Sequence, residues 1–257
     1  MVRIVFSDFD NTMMNYYSDK NYFDNYQISV LKKVCNSGIK FCIVTGRSVS
    51  FFEQFPNLLE VIDYIIGSNG ACVYDVKNKK FIFQQVIDNE ILNQLLDYSI
   101  KNNHSFLLNC LDKRYQYGEW NRVKGEKYIK DGEYNCEQIV VSFDEKYKED
   151  IIMFLEYLSH IIVSNVTNWG NKYSIDINDD KVSKGNSVKW LCKKLNIDKK
   201  DSIAFGDGEN DISMFQVVGK SVSMENASDS IKKLTDDVAL NYKQYGIYKY
   251  IENNILK

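Results

Sequence analysis

The chain has 257 residues, a formal net charge of -3, 44% hydrophobic and 26% charged residues. That balance excludes a disordered, fibrous or membrane-embedded class and leaves an ordinary globular protein of one large or two modest domains. With no general positive charge, neither nucleic acid nor an anionic membrane is expected as a partner.

The six cysteines, at 35, 42, 72, 110, 136 and 192, form no Cys-x-x-Cys pair, so they read as buried thiols in a reducing compartment. The apolar run that leads to Asp8 is only Ile4-Val5-Phe6. This is too short for a signal peptide, and no later run would cross a bilayer, so a cytoplasmic location is expected. His104 and His160 stand apart from any metal-ligand spacing and read as structural or surface residues.

In chain order, residues 3–7 form a β-branched and aromatic strand that ends at an acidic segment. Residues 23–36 carry Tyr26, Val30, Leu31 and Val34 at helical spacing and stop at Ser37-Gly38. A second apolar strand, 41–44, closes on Thr45-Gly46-Arg47, with a helix expected from about Ser48. Residues 63–67 give a third strand, and 71–75 an antiparallel extension after the turn Ser68-Asn69-Gly70. The same grammar returns late in the chain. Ser183 caps a helix to about residue 195, 202–205 and 221–224 are strands, and helices are expected at 210–215 and 227–234.

Between these halves the strands look antiparallel, at 81–86, 105–111, 138–143, 161–166 and 173–177, with helices at 89–102 and 145–159. The expected fold is therefore α/β: a Rossmann-like, three-layer parallel-sheet core formed by 1–80 and 180–257, interrupted by an α+β domain over 81–179. Open parallel sheets bind ligands beyond the carboxyl ends of their strands. Asp8, Thr45 and Asp207 each follow a predicted strand directly.

A carboxylate such as Asp8 is ionised at neutral pH and can attack phosphorus without a base to activate it. Later steps need one group that gives and takes a proton, and Asp10, two residues on, fits by spacing if crowding by other carboxylates raises its pKa. Asp207 and Asp211 are four apart at a loop-to-helix junction, which brings both to one face. Gathering Asp8, Asp10, Asp207 and Asp211 would set each close pair repelling by about 4 kcal/mol at 4 Å and an effective dielectric of 20. A divalent cation turns that repulsion into binding, and oxygen-only ligands beside a phosphate favour Mg²⁺. Thr45 can hydrogen-bond a phosphoryl oxygen, Lys184 supplies a positive charge, and Gly46, Gly185 and Gly206 would let backbone approach a phosphate. Each motif alone has a plainer reading, as a turn, a strand exit or a solvated helix residue. Their order along one α/β pattern favours the chemical one.

The segments Asp8-Phe9-Asp10-Asn11-Thr12, Ile43-Val44-Thr45-Gly46-Arg47, Ser68-Asn69-Gly70-Ala71, Ser183-Lys184-Gly185 and Gly206-Asp207-Gly208-Glu209-Asn210-Asp211 resemble the haloacid dehalogenase superfamily of phosphohydrolases, Cof-type branch with a type IIB cap. The resemblance implies Asp8 as nucleophile and metal ligand, Asp10 as acid/base and ligand through its backbone carbonyl, and Asp207 as third ligand. It implies Thr45 and Lys184 on the phosphoryl group, Asn210 near substrate or phosphate, and Asp211 supporting the metal. Asn11 departs from the usual glycine, and Asn tolerates the positive φ such a turn requires. Met224-Glu225-Asn226-Ala227 also resembles a family segment, with Glu225 where glycine is common, and receives no catalytic role.

The expected activity is Mg²⁺-dependent hydrolysis of small phosphorylated metabolites, sugar phosphates or similar monoesters, through an aspartyl-phosphate. A phosphomannomutase-like phosphotransferase and a non-catalytic phosphate-binding regulator are the competing readings. Specificity is expected from the insert. Its segment 113–130, with Arg114, Tyr115, Tyr117, Trp120, Arg122 and Lys124, reads mainly as exposed strand and loop with aromatic residues packed on the small sheet.

Overall fold

A computed structural model describes residues 1–14, 22–111, 113–120, 125–130 and 132–256. The chain divides into two compact units, Met1–Ile82 with Ser183–Lys257, and Phe83–Val182.

The first unit opens with β1 (Ile4–Ser7), α1 (Asn25–Asn36), β2 (Lys40–Val44), α2 (Pro56–Leu59), β3 (Tyr64–Gly67), β4 (Cys72–Asp75) and β5 (Lys80–Gln84). In the second unit come α3 (Asn89–Lys101), β6 (Ser105–Cys110), β7 (Arg114–Tyr117), β8 (Glu126–Lys127), β9 (Cys136–Asp144), α4 (Lys148–Glu156), β10 (Ile161–Asn168) and β11 (Lys172–Asp179). The first unit resumes with α5 (Lys184–Lys194), β12 (Ser202–Gly206), α6 (Ile212–Phe215), β13 (Lys220–Met224), α7 (Asp229–Lys232), β14 (Asp237–Ala239) and α8 (Gly246–Asn254).

Its eight strands lie in the order β14-β13-β12-β1-β2-β3-β4-β5, parallel from β14 to β3 and antiparallel between β3 and β4. Both faces are covered. Val5 faces a core shared with Val30 and Leu31 of α1 and Ile247 and Ile251 of α8, while Ile4 and Phe6, one pleat away, are equally buried. Helices on both faces of a parallel sheet explain why its strands are continuous apolar runs. From β1 the chain steps to β2 on one side and later returns to β12 on the other. The carboxyl ends of β1 and β12 therefore form the switch point at which such sheets hold ligands.

Several boundaries differ from expectation. The strand expected at 81–86 is β5, which joins the eight-stranded sheet, and the division between the two units falls within it. In place of one helix from Ser48 there is a 3-10 segment, Val49–Gln54, then α2. The cause is Pro56, whose ring restricts Phe55 (φ -117°, ψ 63°) and which restarts the helix at its first position. The helix expected at 227–234 shortens to α7, capped by Ser228, whose hydroxyl accepts from the Ile231 amide.

The second unit is a six-stranded sheet ordered β10-β11-β9-β6-β7-β8. A core of Phe106, Leu108, Ile139, Val141, Ile175 and Ile177 from the strands joins Leu92, Leu96 and Ile151 from α3 and α4. Tyr98 of α3 stacks on Phe154 of α4 at 3.8 Å. Strands β7 and β8 lie within the segment 113–130 expected as exposed strand and loop. Their aromatic residues pack on the sheet, Tyr117 stacking on Phe106 at 5.1 Å and Tyr115 meeting Tyr134 at 4.7 Å. Arg122 and Lys124 lie outside the described residues. His104 is buried, which lowers its pKa, whereas His160 is exposed.

Candidate active site

The segment Asp8–Thr12 is built on an aromatic anchor. Phe9 is buried against Phe52, Phe51, Phe55 and Phe23 at centroid separations of 5.0 to 6.2 Å, and each such pair adds about 0.5–1.5 kcal/mol beyond area burial. Fixing Phe9 fixes its flanking acids. The Asp8 amide donates to the Phe205 carbonyl at 2.9 Å, continuing the β1–β12 pairing into the crevice. After Phe9 the chain turns, with Asn11 at φ 59°. That is the left-handed conformation for which Asn is suited.

The structure brings together Asp8, Asp207 and Asp211, each offering an oxygen within 4.8 Å of the others. Asp8 and Asp211 are joined by Lys184, whose fully buried Nζ donates to Asp8 Oδ1 and to Asp211 Oδ1, each at 2.6 Å. Ser183 positions that lysine by capping α5, accepting from the Asn186 amide at 3.0 Å. Asp211 Oδ2 accepts from the amides of Asp207 and Gly208, both at 3.0 Å. Asp211 thereby shapes the loop that carries Asp207, which explains why acids four apart share one site.

One cation cannot neutralise three carboxylates, and the acidities reflect this. Burial, opposed by Lys184 and reinforced by Asp211 and Asp207, holds the Asp8 carboxyl well above its usual range. Burial and then the Asp211 charge push Asp207 up to about 7. Burial works to depress the Lys184 ammonium, and Asp211 and Asp8 more than reverse it.

The Asp10 carboxylate is not part of this group. The crowding expected there is replaced by Arg47, whose Nε and Nη2 donate to its two oxygens at 2.7 and 2.6 Å. The guanidinium lies 3.9 Å from the Phe51 ring centroid. The Asp10 side chain cannot follow Asp8 as it would in an extended strand, because the backbone turns after Phe9.

Thr45 is buried at the end of β2, and its hydroxyl accepts from the Arg47 amide at 3.1 Å. Asn210 Nδ2 donates to Asn69 Oδ1 at 3.2 Å, and a Cβ on Gly46 would stand 3.0 Å from that same oxygen. The room at the other two glycines is also used by the protein itself. A side chain on Gly185 would strike the Ser213 carbonyl, and one on Gly206 the Asp211 carboxylate. At these two positions the absence of a side chain permits close packing of α5 against α6 and of the loop on Asp211.

Among the residues without an assigned part that touch the predicted ones are Arg47 on Asp10, Asn69 on Asn210, and Asn226. Nδ2 of Asn226 donates to Asp207 Oδ2 at 3.2 Å and to the Asn11 carbonyl at 3.0 Å. Position in the sequence offers a signal for all three, since Arg47 follows Thr45-Gly46, Asn69 lies in the turn after β3, and Asn226 follows the end of β13.

A family model described as haloacid dehalogenase-like hydrolase matches residues 5–251. A Buchnera aphidicola protein is 29% identical over 256 residues, covering 91% of this chain and 90% of its own. The phosphoglycolate phosphatase of Methanobrevibacter smithii is 25% identical over 229 residues, covering 89% of each. A solved subclass IIB sugar phosphatase superposes with a TM-score of 0.80 over 100% of both chains at 18% identity, a likeness of fold. The chain belongs to the haloacid dehalogenase-like hydrolases.

Proposed function

We propose that this protein is a Mg²⁺-dependent phosphatase of small phosphorylated metabolites, sugar phosphates or similar monoesters, acting through a phosphorylated Asp8. The observation that carries the proposal is the buried Asp8–Lys184–Asp211 bridge with Asp207 beside it at the sheet's switch point.

A divalent cation fits the donor set. Three carboxylates supply hard oxygen ligands, a single lysine leaves them under-neutralised, and the raised pKa values of Asp8 and Asp207 accord with that deficit. Asp211 accepts from the buried Lys184 and from the Asp207 and Gly208 amides, which gives it the part of a support for the loop; the ion is assigned, as the family resemblance implies, to Asp8, Asp207 and the Asp10 carbonyl. When bound, Mg²⁺ would neutralise charge on the phosphoryl oxygens.

In the first half-reaction an Asp8 oxygen bonds to phosphorus as the bond to the leaving oxygen breaks, and Asp10, which must first open its Arg47 contact and take up a proton, gives that proton to the leaving oxygen. In the second, a water loses its proton to Asp10 and bonds to phosphorus, and the Asp8–phosphorus bond breaks to release phosphate. Thr45, Gly46, Lys184 and Asn210 bind the phosphoryl group, and Lys184 steadies Asp8 throughout. The Ser183–Lys257 and Met1–Ile82 segments form the catalytic core, and the Phe83–Val182 unit selects the substrate. The six cysteines are free thiols, in keeping with a cytoplasmic setting. Among the described residues no helix is long and apolar enough to cross a membrane.

The test is phosphate release from a generic aryl phosphate. It should require Mg²⁺ and vanish in Asp8→Asn. No turnover of any phosphomonoester at saturating Mg²⁺ would overturn the proposal.

A further inference from the structure

The segment Met224-Glu225-Asn226-Ala227 has so far no part in the chemistry. Its strand, β13, pairs in parallel with β12 (Phe205↔Val222, Gly206↔Ser223), so its carboxyl end opens beside the loop that carries Asp207. Asn226 is the second residue past that end.

From there its single amide nitrogen serves two acceptors. It donates to Asp207 Oδ2 at 3.2 Å and to the Asn11 carbonyl, in the turn just beyond Asp8, at 3.0 Å. The other Asp207 oxygen accepts from Thr12 Oγ1 at 3.3 Å, a donor in that same turn. Both oxygens of Asp207 are thus tied, directly or through Asn226, to the nucleophile turn. Asn226 is itself held, its Oδ1 accepting from the Tyr242 amide at 3.4 Å.

An amide is suited to this place. It presents two N–H donors on one nitrogen and carries no charge. A cation there would compete with Mg²⁺, and a carboxylate would add to the repulsion among Asp8, Asp207 and Asp211. The geometry points to Asn226 as a positioning residue that locks Asp207 to the nucleophile turn, and so sets the affinity of the site for its divalent cation. The inference rests on the proposed metal site and deepens it. Groups that orient ligands from behind typically change metal affinity by about 10- to 100-fold when removed.

The test is calorimetric titration of Mg²⁺, and of Mn²⁺ as a second probe, into the full-length wild type, Asn226→Ala, Asn226→Ser and Glu225→Ala, beside metal-free melting curves. Asn226→Ala should weaken both ions by about tenfold or more while its metal-free melting temperature stays near wild type. Asn226→Ser, whose short hydroxyl has one donor and cannot span both acceptors, should lose affinity likewise, and it reads the effect if the alanine variant does not fold. Glu225→Ala should bind as wild type does, because that carboxylate accepts from the Asn241 amide and touches none of the three acids. Wild-type affinity in both Asn226 variants overturns this inference alone. A wild type that binds neither ion overturns the metal site and the inference together.

Discussion

Asp207→Asn should make the metal-free protein more stable even as it disables the metal site. Burial and the Asp211 charge push the Asp207 carboxyl from 3.8 to about 7. A group whose folded pKa is raised favours the folded state below its unfolded pKa, and that contribution is lost as the pH climbs through the folded one. Stability from Asp207 therefore declines between roughly pH 4 and 7. A rise of about three units corresponds to about 4 kcal/mol, an upper figure because Asp207 keeps some solvent contact. Asparagine removes the charge and keeps the shape. Its carbonyl oxygen can accept from Asn226, and its Nδ2 can face Thr12, whose hydroxyl accepts as readily as it donates. Urea unfolding in chelator should find the variant more stable by up to about 4 kcal/mol near pH 8, with the gap closing towards about pH 4. A variant no more stable than wild type near pH 8, or a gap that persists in acid, would refute the reasoning.

Mg²⁺ should raise the melting temperature of the wild type, and Asp207→Ala should abolish most of that response, a comparison read by thermal melting across a metal titration. Lys184→Met leaves Asp8 and Asp211 facing each other without a cation, and should lose about 3–5 kcal/mol near neutral pH in chemical denaturation. Asn11→Gly should change stability by less than about 1 kcal/mol, whereas Asn11→Val, with a branched side chain at φ 59°, should lose about 1–2 kcal/mol or more.

Strand ends were legible because buried parallel strands are continuous apolar runs, and the acids that close them sit at the sheet's ligand-binding edge. Asp8 and Asp207 were singled out that way, and Asp211 by its four-residue spacing from Asp207. The turn at Asn11 was implied by the resemblance, which has glycine there, and backbone preference says only that Asn tolerates it. Partnerships between strand ends could not be read, since they depend on register. Arg47 meets Asp10 across 37 residues, and Asn226 meets Asp207 only because β13 lies beside β12. The break at Pro56 was available from the chain's one proline. The home of β5 was not, because an amphipathic hairpin strand carries no label for the sheet it joins. Strands β7 and β8 are short and polar, Arg-Tyr-Gln-Tyr and Glu-Lys, and offer periodicity nothing to register.

The central claim is that Asp8 carries the phosphoryl group. Acid-quenching the enzyme during turnover of an aryl phosphate with Mg²⁺, then mass-mapping its peptides, tests this most directly. The account predicts one added phosphoryl group on the peptide containing Asp8, located at Asp8 itself and missing in Asp8→Asn. Phosphate release that continues in Asp8→Asn, or a phosphoryl group trapped on another residue, would contradict it.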